Sequence, residues 1–362
     1  MAKQIGELLK INTSITNLNL SYNDFNTECI KVIGQGLIEN TTLISLDLSE
    51  CELTSECIEE LKEPLRANKT LKNLSLTENI FYQDGLSPIG DILCTNTGLE
   101  ILNISNNYDI NYWDCDGPDC GCEKIAKGLY TNKTLRSLNL KRTCLDLACC
   151  NSLAPALMNN TTLEKLNYTN DKITESMVIG LSKNKSIRDL TIRANMTFIW
   201  QKYYADFIPL LLKNNTTIQK LQISNIKPLS WKDSLRYKNV CNEIIKALEF
   251  NNTLQELDIK DNRFGFKNGT CLAEIMSNNK SLRTIKMDAN DFTDTDTEQI
   301  NSYLRRNVYL QDYSKQALTV HLGFGKTTPF YIKQLLIFSD KLDKTENLRY
   351  SDILLKRYTQ LL

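Results

Sequence analysis

The chain has 362 residues, and its 43 Lys and Arg residues balance its 43 Asp and Glu residues. This balance provides no overall field that would draw the protein to nucleic acid or to a membrane surface, so we expect neither as a partner. The N-terminus lacks the apolar core of a signal peptide, and no apolar run reaches the roughly 18 residues of a membrane span. The sequence therefore predicts a cytoplasmic protein.

The first predicted element is a helix in which Ile5 and Leu9 lie one turn apart. No strand pattern precedes it. We therefore predict an N-terminal half-repeat helix within residues 1–14.

From residue 15 onward, the chain repeats the pattern L-x-x-L-x-L-x-x-N/C ten times, and every L slot is apolar, counting Tyr168. The alternation of apolar and polar residues in each unit predicts a short strand. Successive units begin 24 to 36 residues apart, and 28 is the commonest interval. The first slots of the ten units are Ile15, Leu43, Leu71, Leu99, Leu135, Leu163, Ile187, Ile218, Leu254 and Leu282.

Between the strands the apolar residues recur every three or four positions, as in Ile30, Ile33 and Leu37. This spacing predicts an amphipathic helix. One strand and one helix cannot bury their apolar faces alone, so neighbouring units must stack. A decayed eleventh unit is predicted to begin at Leu310, with Tyr313 in its second slot.

Two columns of polar residues accompany the repeat. Asparagine stands three residues before every predicted strand, from Asn12 to Asn307, and nine of these asparagines lie in N-x-S/T sequons. We expect them to end the helices in a left-handed conformation, which makes the sequons weak evidence of secretion. The ninth motif position is usually Asn, whose buried amide is expected to bridge adjacent turns, and we predict a break at Ile226.

These motifs resemble the ribonuclease-inhibitor-like class of leucine-rich repeats. The resemblance implies an α/β fold, a right-handed solenoid of about 10–11 repeats shaped like a horseshoe. A parallel sheet would line its concave face and helices its convex face. The repeats would cover residues 15–316, and residues 317–362 would form a C-terminal helical cap.

The cysteines divide into core positions and an inserted loop. Cys122, Cys149 and Cys150 fall in or beside helix core slots, where we expect free thiols that pack as small hydrophobes. Cys115 and Cys120 lie in an insertion in the fourth unit. Two thiols without a second pair or a nearby histidine form an incomplete zinc site, so we expect a solvated acidic loop; a metal site and a redox-active pair remain alternatives.

The sequence favours a non-catalytic protein-interaction module that needs no cofactor. The chain has one histidine, His321, outside the repeats. Candidate binding residues on the concave face form a basic centre between acidic flanks: Lys141, Arg142, Lys165, Arg193, Lys220, Asp258 and Lys260. The expected partner is a protein of acidic or mixed charge, bound by a monomer, with the chain acting as an inhibitor, adaptor or scaffold.

Three alternatives remain at this stage, one of which is actin binding of the tropomodulin type, which the resemblance allows but no residue selects. The aromatic insertions around Trp200 and Trp231 provide a second candidate binding surface. The resemblance also allows a GTPase-activating protein of the Ran-activating type, for which Arg142 has the only plausible position.

Overall fold

The computed structural model describes residues 1–81, 85–107, 121–143, 145, 147–168, 173–193, 201–224 and 234–323. For residues 193, 201–206, 224, 234–240 and 313–323 it describes the backbone only. The chain divides into two compact units, Met1–Arg305 and Arg306–Leu362. The first unit contains all the repeats described below.

Ten short strands pair in sequence order into one parallel sheet. They are β1 (Asn17–Asn19), β2 (Ser45–Asp47), β3 (Asn73–Ser75), β4 (Ile101–Asn103), β5 (Ser137–Asn139), β6 (Lys165–Tyr168), β7 (Asp189–Arg193), β8 (Lys220–Ser224), β9 (Glu256–Asp258) and β10 (Thr284–Lys286). The second leucine of each motif pairs with its equivalent, as Leu18 does with Leu46 and Leu46 with Leu74. This register keeps the apolar slots on one side of the sheet.

Helices separate the strands and pack against one another in the same order. They are α1 (Ala2–Ile11), α2 (Thr27–Glu39), α3 (Ser55–Glu60), α4 (Lys62–Ala67), α5 (Leu86–Thr95), α6 (Cys122–Thr131), α7 (Leu147–Asn159), α8 (Glu175–Lys183), α9 (Gln201–Asn214), α10 (Ser234–Phe250), α11 (Phe266–Asn278) and α12 (Asp294–Gly323). Together, α3 and α4 fill the helical position of one repeat, because Pro64 lacks the N–H that would continue the ladder of a single helix.

The predicted core slots are buried, except for some in the terminal repeats, such as Ile15, Leu18 and Met287, which are partly buried. Ile30, Ile33 and Leu37 in α2 are all completely inaccessible, and so is Tyr168 in the third strand slot of β6. The Tyr168 hydroxyl is hydrogen-bonded to Cys150 Sγ at 2.9 Å, which provides a partner for the one polar group in that column. The fold is a leucine-rich-repeat solenoid.

The asparagines before the strands end the helices by a different mechanism from the one predicted. Asn68, after α4, has φ −73° and ψ 129°, an extended conformation rather than a left-handed one. Its Oδ1 accepts from the N–H groups of Thr70 at 3.0 Å and Leu71 at 2.8 Å. Its Nδ2 donates to the carbonyls of Leu37 and Asn40 in the preceding repeat. The side chain, not the backbone freedom of asparagine, therefore explains this column.

The same bonds bear on the sequons. Asn40, Asn160 and Asn184 are at most 3% exposed, and the Nδ2 of each donates to a backbone carbonyl of the preceding repeat. A glycan attached to that nitrogen would have no room in the folded chain. These sequons are therefore structural, as the sequence predicted.

The predicted eleventh strand is wrong. Residues 310–315 belong to α12, and Asn307 lies inside that helix rather than at its end. Asn307 Oδ1 accepts from the Arg306 guanidinium instead of capping a strand entry. The later leucine slots of this unit hold Tyr313 and Lys315, and a lysine cannot fill an inward-facing strand position without burying its charge.

The ninth-position amides form the predicted ladder. Asn79 Nδ2 donates to the carbonyls of Leu48 at 2.9 Å and Leu76 at 3.0 Å. Asn79 Oδ1 accepts from the N–H groups of Cys51 at 2.9 Å and Leu53 at 3.1 Å. One buried amide thus satisfies four backbone groups across two repeats. The predicted break at Ile226 lies outside the described residues.

Helices α5 and α6 meet through a glycine. A Cβ at Gly90 would overlap the Lys124 carbonyl carbon and would lie 2.6 Å from the Ile125 nitrogen. We expect Gly90→Ala to lower the free energy of unfolding by about 2 kcal/mol, because the two backbones must separate. In an isolated helix the same change would stabilise by roughly 0.5–1 kcal/mol. Urea denaturation of this variant, with the exposed Lys127→Ala as the control, tests the sign; a gain in stability would contradict the close approach.

The cysteine prediction was right about burial and wrong about chemistry. Cys122 and Cys149 are 2% and 0% exposed, and they form a disulfide with a Cα–Cα distance of 5.0 Å. The physical reason is repeat stacking. Cys122 at the start of α6 and Cys149 in the first turn of α7 occupy neighbouring core columns, so adjacent repeats bring them together.

Candidate functional site

The strands present one face of the sheet to solvent. In β2, β3 and β5 the central leucine is buried, whereas the residues on either side of it are partly exposed. The exposed residues of all ten strands therefore lie on the side opposite the core. We call this surface the sheet face.

Seven strands, β1–β5, β9 and β10, are followed by a left-handed turn at the residue before the amide ladder. The residues of this column have φ between 51° and 59°: Tyr22, Glu50, Glu78, Asn106, Arg142, Asp261 and Ala289. The turn redirects the chain away from the strand. Arg142 was predicted to be a strand-face residue, but it occupies this turn at the end of β5.

The predicted basic centre is not a patch of unpaired cations. Lys165 Nζ lies 3.0 Å from Asp189 Oδ2 on the next strand. Lys220 Nζ lies 2.8 Å from Glu256 Oε1, and this hydrogen bond raises the pKa of the lysine. Carboxylates on neighbouring strands therefore neutralise two of the predicted cations.

Asp258 and Lys260, the predicted acidic flank and its relieving cation, are paired in the same way. Lys260 Nζ lies 2.7 Å from Asp288 Oδ2, and this pair raises the pKa of the lysine and lowers that of the aspartate. Asp258 Oδ2 faces Lys286 Nζ at 3.4 Å, while its Oδ1 accepts from the Lys260 N–H. Asp258 thus accepts a backbone hydrogen bond just after the end of its own strand, β9.

The other predicted cations are placed as follows. The Lys141 backbone N–H donates to Asn139 Oδ1 at 3.1 Å, and its side chain is half-buried. Arg142 is exposed. Arg193 ends β7, and only its backbone is described. The Ran-type alternative, which depends on Arg142, stays a prediction.

The sheet face over β1–β4, which we call the hydroxyl half, has a different chemistry. Ser49 Oγ donates to Asp47 Oδ1. Ser49 Oγ lies 2.8 Å from Ser75 Oγ, Ser75 Oγ lies 3.3 Å from Thr77 Oγ1, and Thr77 Oγ1 lies 3.3 Å from Ser105 Oγ. Hydrogen bonds thus connect the hydroxyls of three repeats to one carboxylate.

The strand ends of the hydroxyl half carry several acidic groups. Tyr22 is 76% exposed, and a hydrogen bond to the Glu50 carboxylate raises the pKa of its hydroxyl. After β4, Asn106 Nδ2 donates to Oε1 of Glu78, which follows β3, at 3.1 Å. Five carboxylates at these strand ends, which we call the acidic edge, form no ion pair with any other described residue: Asp24, Asp47, Glu50, Glu52 and Glu78.

Sequence reasoning missed this contrast between the two halves. It noted the acidic and polar residues of the first four units but placed the binding centre on the lysines. The signal that was available is the identity of the cross-strand neighbour. In β6–β9 the lysines alternate with Asp189 and Glu256 at the same motif position. At the motif position of Glu50 and Glu78, the neighbouring repeats carry Tyr22 and Asn106 rather than a cation.

Several sequence predictions lie outside the described residues. They are the loop cysteines Cys115 and Cys120 and the insertion aromatics Trp200 and Trp231. Within the described part of the chain, no group of three His, Cys, Asp or Glu side chains is arranged to hold a metal ion. None of the helices in that part is both long and apolar enough to cross a membrane.

Comparison with known proteins returned structural neighbours only. No protein-family model matches the sequence, and no curated protein is significantly similar. The leucine-rich repeat-containing protein LegL7 from Legionella pneumophila is 16% identical with a TM-score of 0.49, over 84% of this chain and 93% of that one. Rad7 in the yeast Rad7–Elc1 complex is 18% identical with a TM-score of 0.43, over 81% and 74%.

A third neighbour is the tropomodulin C-terminal domain from Caenorhabditis elegans, which is 12% identical with a TM-score of 0.35, over 44% of this chain and 92% of that one. The fold assignment rests on the ten repeats and the ten-stranded parallel sheet of the chain itself.

Proposed function

We propose that this chain is a non-catalytic protein-interaction module whose partner binds the sheet face. The observation that supports the proposal is the sheet itself, in which ten parallel strands present one row of exposed side chains after another. The helices pack among themselves on the opposite side of the core. A broad, rigid surface of this kind provides contact area without a conformational change, and stacked repeats commonly use it for binding.

The charge pattern narrows the proposal to a part of the face. Over β6–β10, a partner would have to compete with existing ion pairs such as Lys165–Asp189 and Lys220–Glu256. Over β1–β4, the carboxylates of the acidic edge have no such pairing with any residue that the structure describes. We therefore place the binding centre on the hydroxyl half, which replaces the basic centre that the sequence predicted.

Site-specific photo-crosslinking tests this function. A photoreactive amino acid is placed on the sheet face at Asn73 or Ser137, and on the helical side at Lys31 or Lys127 as controls. We expect one partner protein to crosslink from Asn73 and, more weakly, from Ser137, and not from the controls. Crosslinks that form only from the helical positions would overturn the proposal.

A further inference from the structure

The hydroxyls of the hydroxyl half offer a ligand hydrogen-bond acceptors rather than donors. A hydroxyl has one proton, and the proton of Ser49 is committed to Asp47. In the contact with Ser49, Ser75 must therefore be the donor. By the same elimination Thr77 donates to Ser75, and Ser105 donates to Thr77. Each of these four hydroxyl protons is thus donated in the direction of Asp47. The hydroxyl oxygens have only lone pairs left for a ligand.

The strand-end asparagines are engaged in the opposite sense: their oxygens accept from the backbone, which leaves their NH2 groups as donors for the carbonyls of an extended segment. Asn19 Oδ1 accepts from the Ser21 N–H at 2.8 Å, and Asn103 Oδ1 accepts from the Ser105 N–H at 3.1 Å. These bonds fix the side chains against the strand ends. The acidic edge therefore lies above a prearranged, rigid surface, and a ligand pays little to order it.

The exposed Tyr22 adds a feature that carboxylates alone lack. Tyr22 is 76% exposed, and the neighbouring Glu50 carboxylate raises the pKa of its hydroxyl. An aromatic face beside a carboxylate is suited to a guanidinium or ammonium group, which can stack on the ring and donate to the oxygens. Acceptor oxygens, unpaired negative charge and an exposed ring all favour a cationic donor.

We propose that the partner docks an extended, arginine- or lysine-bearing segment across the hydroxyl half, with its cations at the acidic edge. The proposal rests on the function proposed above, because it names the chemistry of the partner at the same face. Adjacent parallel strands are about 4.8 Å apart, so Glu50 and Glu78 stand one such step from each other. An extended segment that crosses the strands can place cations at both.

Fluorescence anisotropy with two labelled twelve-residue peptides tests the charge requirement. One peptide alternates glycine with arginine, and the other alternates glycine with glutamate. The full chain is expected to bind the arginine peptide at 50 mM NaCl and to lose most of the affinity at 300 mM, because exposed charges are screened. The glutamate peptide is expected not to bind.

The decisive variant is Glu50→Gln with Glu78→Gln, compared with Glu274→Gln and Glu298→Gln. Both double variants change the net charge equally, and the control residues are exposed on α11 and α12. We expect the first to weaken binding of the arginine peptide at least tenfold and the control less than twofold, with unchanged circular dichroism. Tyr22→Ala is expected to weaken binding about threefold to tenfold.

Three outcomes would overturn this inference: no binding of the arginine peptide, equal binding of the glutamate peptide, or equal effects of the two double variants. None of them removes the proposed function. If the photo-crosslinks from Asn73 persist in the Glu50→Gln, Glu78→Gln variant at full yield, the sheet face binds a partner that is not cationic. If those crosslinks never form, the proposed function itself fails.

Discussion

Replacing Asn79 with alanine is expected to lower the free energy of unfolding by about 4 kcal/mol or more. The change leaves the carbonyl of Leu48 and the N–H groups of Cys51 and Leu53 without their partner inside the core, while the Leu76 carbonyl keeps its bond from Asn107 Nδ2. Each unsatisfied buried group costs roughly 1–3 kcal/mol, which makes this one of the few single substitutions expected to threaten the fold. Urea denaturation followed by circular dichroism measures the loss.

The matched control for Asn79 is Asn73→Ala on the sheet face of the same repeat. Asn73 is half-buried, and its side chain is not part of the ninth-position amide ladder. We expect a change within about 0.5 kcal/mol, as for other surface substitutions. Equal losses for the two variants would show that the ladder amide has no special role.

Removing the disulfide by Cys149→Ser is expected to lower the free energy of unfolding by about 3–4 kcal/mol under non-reducing conditions. The bond closes a segment with a sequence separation of 27 residues, and restricting the unfolded chain over such a loop contributes about this much. The wild-type protein should lose the same amount when dithiothreitol is added, and the variant should be indifferent to it.

Cys271→Ser is the control for the disulfide, because Cys271 is a free thiol in α11. That variant should keep the full response to dithiothreitol. Non-reducing peptide mapping should recover one linked peptide pair that contains Cys122 and Cys149. Free thiols at both positions in protein that was never reduced would contradict the bond.

Much of the fold followed from the sequence because the repeat is dictated by packing. The apolar slots of β2 and α2 could be located by counting from Leu43 and Ile30, since no other residues in those units have the required spacing. The function of Asn68 was harder to predict. The asparagines at this position were predicted to end the helices through their backbone conformation, but their side chains do so through hydrogen bonds. The acceptors of Asn68, the carbonyls of Leu37 and Asn40, can be identified only once the preceding repeat has been placed.

The candidate site was less predictable, because charge depends on neighbours across the sheet. Lys165 and Lys220 are about as conspicuous in the sequence as Glu50 and Glu78, and only the strand register shows which of them are neutralised. The cysteines present the same difficulty. Burial of Cys122 was predictable from its slot, but its bond to Cys149 required the two helices to be placed side by side. The expectation of a cytoplasmic location loses part of its support, because disulfides are more common in oxidising compartments.

The uneven repeat lengths have a consequence for how such a chain can grow. The distance from each capping asparagine to its strand is constant at three residues, although the intervals between the ten units range from 24 to 36. The variation in length therefore falls between the end of a strand and the end of the next helix, both in the junction and in the helix itself, which has 9 residues in α8 and 17 in α10. Insertions there leave the capping bonds and the strand register unchanged. Evolution can therefore lengthen a repeat by insertion in this region. A protein engineer can graft a tag or a binding segment at the same place.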